Sequence, residues 1–204
     1  MIHPDTELRK VNEIIGYGVF ATQPIAAGSI VYVKDPLEIE IGPDQFARMD
    51  PAYQAVVNWF SYIDERGVRI VSWDIAKYVN HCCDPNSIST GYGFEIAIRD
   101  IAAGEQITDE YGMFNLPMPL DCCCGSPNCR GRITGEDFNT YGRDWDRQAR
   151  AALRSFAQVA QPLVKFMDTQ MYQDLMKYLN TRRSYRSILS LQATAQQTPL
   201  EKVY

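Results

Sequence analysis

All six cysteines of this chain sit in two short stretches, and that placement limits its folds more than any other feature. The stretch "KYVNHCCDPNS", residues 77–87, carries Cys82 and Cys83 directly behind Asn80 and His81. The stretch "LDCCCGSPNCRG", residues 120–131, carries Cys122, Cys123, Cys124 and Cys129. Disulfides are disfavoured: adjacent cysteines pair only with strain, and the opening "MIHPDTELRK" lacks the basic-then-apolar layout of an export signal. Buried structural thiols usually occur singly, so crowding argues against them. A metal explains the crowding. Cys122, Cys124 and Cys129 form C-x-C-x4-C in a loop shaped by Gly125 and Pro127, and they offer three soft ligands. A tetrahedral structural zinc takes four. Outside the second cluster only Cys82 or Cys83 can complete the set, and spacing neither chooses between them nor excludes Cys123.

With 204 residues, 46% of them hydrophobic, the chain suits one domain with an appendage and can bury a real core. It has no apolar run of membrane-spanning length, and a reducing cytosol is the expected compartment, or the nucleus in a eukaryote. A net charge of −5 argues against a general nucleic-acid binder, because phosphate contacts need clustered lysine and arginine. The charge is uneven: acids outnumber bases eight to three from Asp35 to Asp74, and bases outnumber acids nine to four from Arg143 to Arg186. An acidic front half can attract a basic substrate, although two ordinary solvated faces give the same pattern.

The first half reads as short strands cut by turns. "GVFATQ" and "SIVYVKD" are separated by Pro24 and Gly28, and "FEIAIRD" leads through Gly104 into "QITDEYG". The turns share the letters IAAG, in "PIAAGSIVYV" (24–33) and "DIAAGEQITDEY" (100–111), which predicts two similar small sheets. Between them, Phe46, Met49, Tyr53, Val56, Val57 and Phe60 have helical spacing, with Pro51 as an interruption. After Gly135 come Trp145, Ala149, Leu153, Phe156, Val159 and Leu163, then Tyr172, Leu175, Met176 and Leu179. This spacing predicts two helices divided at Pro162, packed on the β part or against another copy. The last dozen residues are expected to be loose.

Four segments occur in a telling order: "GYGVFAT" (16–22), "NHCCDPN" (80–86), "GEQITDEYG" (104–112) and "CCCGSPNCRG" (122–131). Together they resemble the SET-domain protein lysine methyltransferases with a post-SET zinc loop, over roughly residues 8–133. The resemblance implies a mainly β fold of small sheets, with a pseudoknot near Asn80 and His81. It divides the chain into a SET domain (1–118), a post-SET zinc loop (119–135) and a helical C-terminal extension (136–204), with no cysteine-rich segment in front. The family motif Asn-His-x-Cys-x-Pro-Asn puts the fourth zinc ligand at Cys83, beside Cys122, Cys124 and Cys129, and leaves Cys82 and Cys123 as bystanders. So short a loop cannot bury enough apolar surface to hold itself down, and metal binding would become its folding energy. By resemblance the loop closes one side of the cofactor and lysine pocket.

Gly16-Tyr17-Gly18 at a strand entrance reads either as a tight turn or as backbone passing close to a ligand. The resemblance implies that Gly16, Tyr17, Gly18, Asn80 and His81 contact S-adenosylmethionine, whose product is S-adenosyl-L-homocysteine. His81, one of two histidines, is expected to pair with backbone and cofactor rather than act as a base. Tyr111 in "DEYG" matches the family's catalytic tyrosine and would also meet the cofactor; its bland reading is a strand-end core aromatic. Methyl transfer to an amine is an in-line displacement governed by alignment and electrostatics. Lysine, with an ordinary pKa of about 10.4, must first lose a proton, and desolvation beside a sulfonium favours that loss.

Two residues before this tyrosine the family has Phe or Tyr, and this chain has Asp109. The carboxylate either stands in the channel to hold the substrate ammonium or turns to solvent, and no rule for the degree of methylation carries over. Trp59, Tyr62 and Tyr78 are the candidates for channel walls. The expected function is transfer of methyl from S-adenosylmethionine to a lysine ε-amine in a protein or peptide, histone-like tails included. The competing reading is a catalytically silent SET-like module that binds a peptide or partner around a structural zinc, favoured by Asp109. A zinc-ribbon nucleic-acid binder would want bases around the cysteines; Arg130 and Arg132 are there, in an acidic domain. The C-terminal helices would supply a homodimer interface or a substrate lid.

Overall fold

The computed structural model describes residues 1–193, so the loose terminus expected of the last dozen residues lies, from 194 on, outside the described residues. In chain order the elements are β1 (Thr6–Asn12), β2 (Gly16–Ala21), β3 (Ile30–Val33), β4 (Ile39–Ile41), α1 (Pro43–Ala47) and α2 (Pro51–Phe60). There follow β5 (Ser61–Ile63), β6 (Arg69–Val71), β7 (Asn80–His81), β8 (Ser87–Ser89), β9 (Phe94–Ala97) and β10 (Thr108–Asp109). The C-terminal part holds β11 (Leu120–Asp121), β12 (Arg132–Ile133), α3 (Asp137–Ala152) and α4 (Thr169–Thr181).

The strands make small sheets, as expected of this fold. β1 and β2 form an antiparallel hairpin whose turn closes at Gly16, at φ +80°. That value suits glycine alone, and the Asn12 carboxamide supports the turn by accepting from the Ile14 and Ile15 amides. β3, β9 and β8 form one antiparallel sheet, and β4, β6 and β5 another. β7 and β10 pair in parallel, Thr108 with Asn80 and Asp109 with His81, at the place where a pseudoknot is expected. The two IAAG turns do not build two similar sheets. They join each other: Ile25 and Ile101 exchange both backbone hydrogen bonds at 2.9 Å. Beyond that bridge their strands part, β3 into the three-stranded sheet and β10 into the parallel pair with β7.

The main core lies between the β3–β9–β8 sheet and the C-terminal helices. Ile30, Ile88, Phe94 and Ile96 face Trp145, Ala149, Leu153, Phe156, Leu163, Leu175 and Tyr178. Two helices form, but the first stops at Ala152, well short of Pro162. Just past its end the chain packs closely on Gly28, where a Cβ would meet Ser155 Cβ at 2.9 Å and the Ala152 carbonyl at 3.0 Å. The chain then turns, and Gln161 fastens it by donating to the Gly28 carbonyl and accepting from the Ile30 amide. Tyr172, expected on the apolar face, is exposed, while Tyr178 is buried in its place.

The segment before β5 differs more. Pro51 starts α2 at its first turn, behind an Asp50 cap that accepts from the Ala52 amide, rather than interrupting a helix. Tyr53, Val56 and Trp59 point to solvent, and of the expected stripe only Phe46 is buried, under the Arg69 guanidinium at 3.9 Å.

Candidate functional site

The short β11–β12 hairpin holds the second cysteine cluster. Its strands pair Leu120 with Ile133 and Asp121 with Arg132, and the Cys122 amide donates to the Gly131 carbonyl across the loop. The fold brings this loop against the segment after β7. The sulfurs of Cys83, Cys122, Cys124 and Cys129 all lie within 4.8 Å of one another, with Cys83–Cys122 and Cys122–Cys129 at 3.7 Å. Four thiolates at Zn–S distances of about 2.3 Å stand about 3.8 Å apart in a tetrahedron, so the donors fit such an ion. Cys82 Sγ accepts from the Asp84 amide, outside this group, and Cys123 is exposed.

His81 joins the cluster to the strand pair. Nδ1 lies 3.1 Å from both the Tyr111 amide, which donates, and the Asp109 carbonyl, which accepts, and Nε2 lies 3.3 Å from Cys83 Sγ. Burial, with the positive charge of Arg130, holds the imidazole down at about 4, and the ring is neutral. It pairs with backbone, as expected, and with a cysteine, which sequence reasoning missed. Tyr111 follows β10 directly, half-buried against His81 and Phe114. Its hydroxyl donates to the Val79 carbonyl at 2.6 Å. Burial, then the charges of Asp109 and Glu95, push the phenol upward, so it stays protonated.

Asn80 donates its side-chain amide to the Tyr17 carbonyl at 2.9 Å and so ties β7 to the glycine turn. A Cβ on Gly18 would fall 2.9 Å from that Asn80 nitrogen and 2.8 Å from Gln106 Nε2. Gly18 is a close-approach glycine, whereas Gly16 serves the turn. Asn86, at the end of the cysteine motif, is fully buried and exchanges hydrogen bonds with Thr108 while donating to the Gln106 carbonyl. It fixes β10 beside the motif, a role that its place in the motif alone could have signalled.

A cavity of about 870 Å³ opens beside these residues, lined by Gly16, Tyr17, Tyr78, Asn80, Asp109 and Tyr111 among others. A second, of about 540 Å³, carries Lys34, Glu40, Asp64, Arg66 and Arg186. Tyr32, Tyr62, Ile63, Glu95 and Phe114 line both and form the wall between them. Of the candidate channel aromatics, Tyr62 stands in that wall, Tyr78 lies in the larger cavity against Tyr17 and Phe60, and Trp59 lies at its exposed mouth.

Asp109 does not turn to solvent: it is 1% exposed. One oxygen accepts from the Glu110 amide at 2.7 Å, and the other meets no donor among the described residues. Burial, then the neighbouring charges of Glu95 and Glu110, push its carboxyl well up, and burial drives Glu95 up to about 7. The next residue, Glu110, is also buried, but it has a partner. Arg130 reaches from the cysteine loop to Glu110 and Asp137 and lies over the Tyr141 ring. Arg130 is thus a structural tie inside the protein, and its guanidinium is not presented to a phosphate backbone.

Comparison with known proteins agrees with this geometry. The family model described as "SET domain" matches residues 16–112. The chain is 34% identical over 143 residues to the "Variant-silencing SET domain-containing protein" of Plasmodium falciparum, covering 61% of this chain and 5% of that protein. It is 32% identical over 132 residues to "Histone-lysine N-methyltransferase ATX2" of Arabidopsis thaliana, covering 59% and 12%. Among solved structures it is similar to the complex of KRYPTONITE with mCHG DNA and SAH, at 23% identity and a TM-score of 0.43, covering 62% of this chain and 28% of that one. The chain therefore spans a small part of the curated relatives it matches.

Proposed function

We propose that this chain, a SET-domain protein through residues 16–112, transfers methyl from S-adenosylmethionine to the ε-amine of a lysine in a protein or peptide. The observation that carries this reading is the meeting of Gly16, Tyr17, Asn80 and Tyr111 on one cavity. Its volume suits a nucleoside-sized ligand, since such sites run to about 300–1,000 Å³. Gly16, Tyr17, Asn80 and Tyr111 would hold the cofactor from the cavity wall, with Gly18 and His81 keeping Asn80 and Tyr111 in place. Cys83, Cys122, Cys124 and Cys129 would hold one zinc. When bound, S-adenosylmethionine supplies a methyl group made electrophilic by its sulfonium.

The protein's own part is alignment. The bond from Tyr111 to the Val79 carbonyl fixes the hydroxyl proton and leaves the oxygen lone pairs free to meet positive charge. Neutral His81 pins the Tyr111 amide, and a filled cysteine site would stiffen that contact from the other side of the ring. Tyr62 and Phe114 surround the reacting region with apolar surface that excludes water and favours a neutral amine. Several relatives are named histone-lysine N-methyltransferases, which supports a histone-like basic tail as substrate and action in the nucleus or cytoplasm.

The test is methyl transfer from labelled S-adenosylmethionine into a lysate and into histone-tail peptides, with products located by mass spectrometry. Label on lysine that disappears in Tyr111→Phe is the expected result. Zinc-replete protein that neither transfers methyl nor binds the cofactor would be the silent module instead.

A further inference from the structure

Where the two cavities adjoin, two buried carboxyls lie without a salt-bridge partner among the described residues. Glu95, on β9 and paired in register with Tyr32, is 9% exposed, and Asp109 on β10 is 1% exposed. Both line the larger cavity, Glu95 from the three-stranded sheet and Asp109 from the parallel pair. Among the described residues no lysine or arginine pairs with either, and no donor reaches Asp109 Oδ2. An isolated buried carboxylate is costly, and such a group is ordinarily paired or bound to a cation. Other charged groups of the same core are paired: Glu110 with Arg130, and Glu38 with Tyr32 and the Met1 amine. Among the described residues neither Glu95 nor Asp109 has a salt-bridge partner; Glu95 lines both cavities and Asp109 lines the larger one beside it.

We propose that Glu95 and Asp109 form one proton-sharing carboxylate pair that receives the target lysine's ammonium and takes its proton. This rests on the methyl-transfer reading above. The step is balanced. The pair starts with one proton and one negative charge; an N–H bond of the ammonium breaks, an O–H bond forms on the pair, and nitrogen keeps the electron pair as its lone pair. After the reaction the pair returns the proton to water in the cavity. Two adjacent carboxyls out of water bind a proton far more tightly than either alone, which narrows the gap to an amine that is itself desolvated. The groups facing the pair are Tyr32, Glu38 and the Met1 amine from the β3 side, Tyr62 from β5, and His81, Glu110 and Tyr111 from the β7–β10 side. The Met1 amine, the one cation in this group, is held by Asp35 and Glu38, so among the described residues the incoming ammonium meets no competitor at the carboxyl oxygens.

The test uses the full chain and two probes, n-butylammonium chloride as a lysine side-chain mimic and 1-butanol as its uncharged counterpart. Carbon-13 NMR of labelled side-chain carboxyls follows the pair from pH 5 to 9 with and without each probe. Two carboxyl signals that titrate together are expected, moved to lower pH by n-butylammonium and left in place by 1-butanol. Glu95→Gln and Asp109→Asn, which preserve shape, should each weaken the ammonium response about tenfold, as loss of a charge-assisted contact does. Equal responses to both probes, or an ammonium response that survives in both variants, would overturn the proposal. Failure here alongside Tyr111-dependent methyl transfer would remove only this pair's role. An ammonium response in wild-type protein that transfers no methyl would instead remove the methyl-transfer reading.

Discussion

His81 and Cys83 are in direct contact, Nε2 to Sγ at 3.3 Å, while the other face of the same ring holds the Tyr111 amide. One imidazole therefore links the cysteine cluster to the proposed catalytic tyrosine. His81→Ala should lower metal affinity about 10- to 100-fold, the usual effect of losing a ligand's hydrogen-bond partner. Cofactor affinity should fall with it. Competition against a metal indicator and calorimetry with S-adenosyl-L-homocysteine read the two effects. A strong chelator should reproduce the cofactor loss in the unmutated chain; full affinity in metal-stripped protein would show the two sites to be uncoupled.

Tyr111→Phe removes a hydroxyl and little volume. The Val79 carbonyl loses its 2.6 Å partner, which should cost about 1 kcal/mol in urea unfolding. The rate effect should be larger, a fall of about 100-fold in kcat, because an aligned group at the reacting centre acts chiefly in the transition state. Cofactor affinity should fall far less than the rate, because the ring that lines the cavity is kept. A tyrosine that mattered only to the core would lose stability and rate together.

Gly18→Ala separates packing from binding. The new Cβ meets only the ends of side chains, Gln106, Asn80 and Val11, so these shift and the fold survives. Asn80 would then leave the Tyr17 carbonyl. Cofactor affinity should drop about tenfold, the equivalent of about 1.4 kcal/mol, with the melting temperature almost unchanged.

The pattern of what was readable in advance has a physical basis. The Gly16–Gly18 turn, the Asn80–Cys83 stretch and the C-x-C-x4-C loop are contiguous, and their chemistry is written in their own spacing. Glu95 is different: it lines the larger cavity beside Asp109 from another sheet, and no periodicity within "FEIAIRD" marks one buried position as acid-facing. Arg130 looked like a loose base beside the cysteines because its partners Glu110 and Asp137 lie on other elements. The IAAG repeat was visible, but it became a bridge between the two turns rather than two equivalent sheets. On α2 the spacing of Tyr53 and Val56 was helical, yet helical spacing cannot say whether another element covers the face.

Arg130→Met should be among the most damaging changes outside the cavities. Its guanidinium side chain is largely buried, and it serves Glu110, which is 2% exposed. Removing one partner of a buried pair leaves the other charge uncompensated, at a cost of about 3–5 kcal/mol. Glu110 would repel Asp137 and loosen the turn that carries Tyr111. Urea unfolding should show that loss, and a double variant with Glu110→Gln should recover most of it.

The Glu95–Asp109 pair also sets a pH dependence of stability. Both folded carboxyls sit above their unfolded values, Glu95 at about 7 against an ordinary 4.5. Between those values the folded chain binds more protons than the unfolded one, so this contribution is fully present below the unfolded pKa and is lost as pH rises through the folded one. A depressed carboxylate would do the reverse. In Glu95→Gln the contribution disappears, because the amide is neutral at every pH. The variant should therefore gain on the unmutated chain as pH climbs from 5.5 to 8.5, with the difference greatest at the alkaline end. Chemical unfolding across that range measures it directly. Parallel curves for the two proteins would mean that Glu95 is solvated like a surface carboxylate, and the proton-sharing pair would have to be discarded.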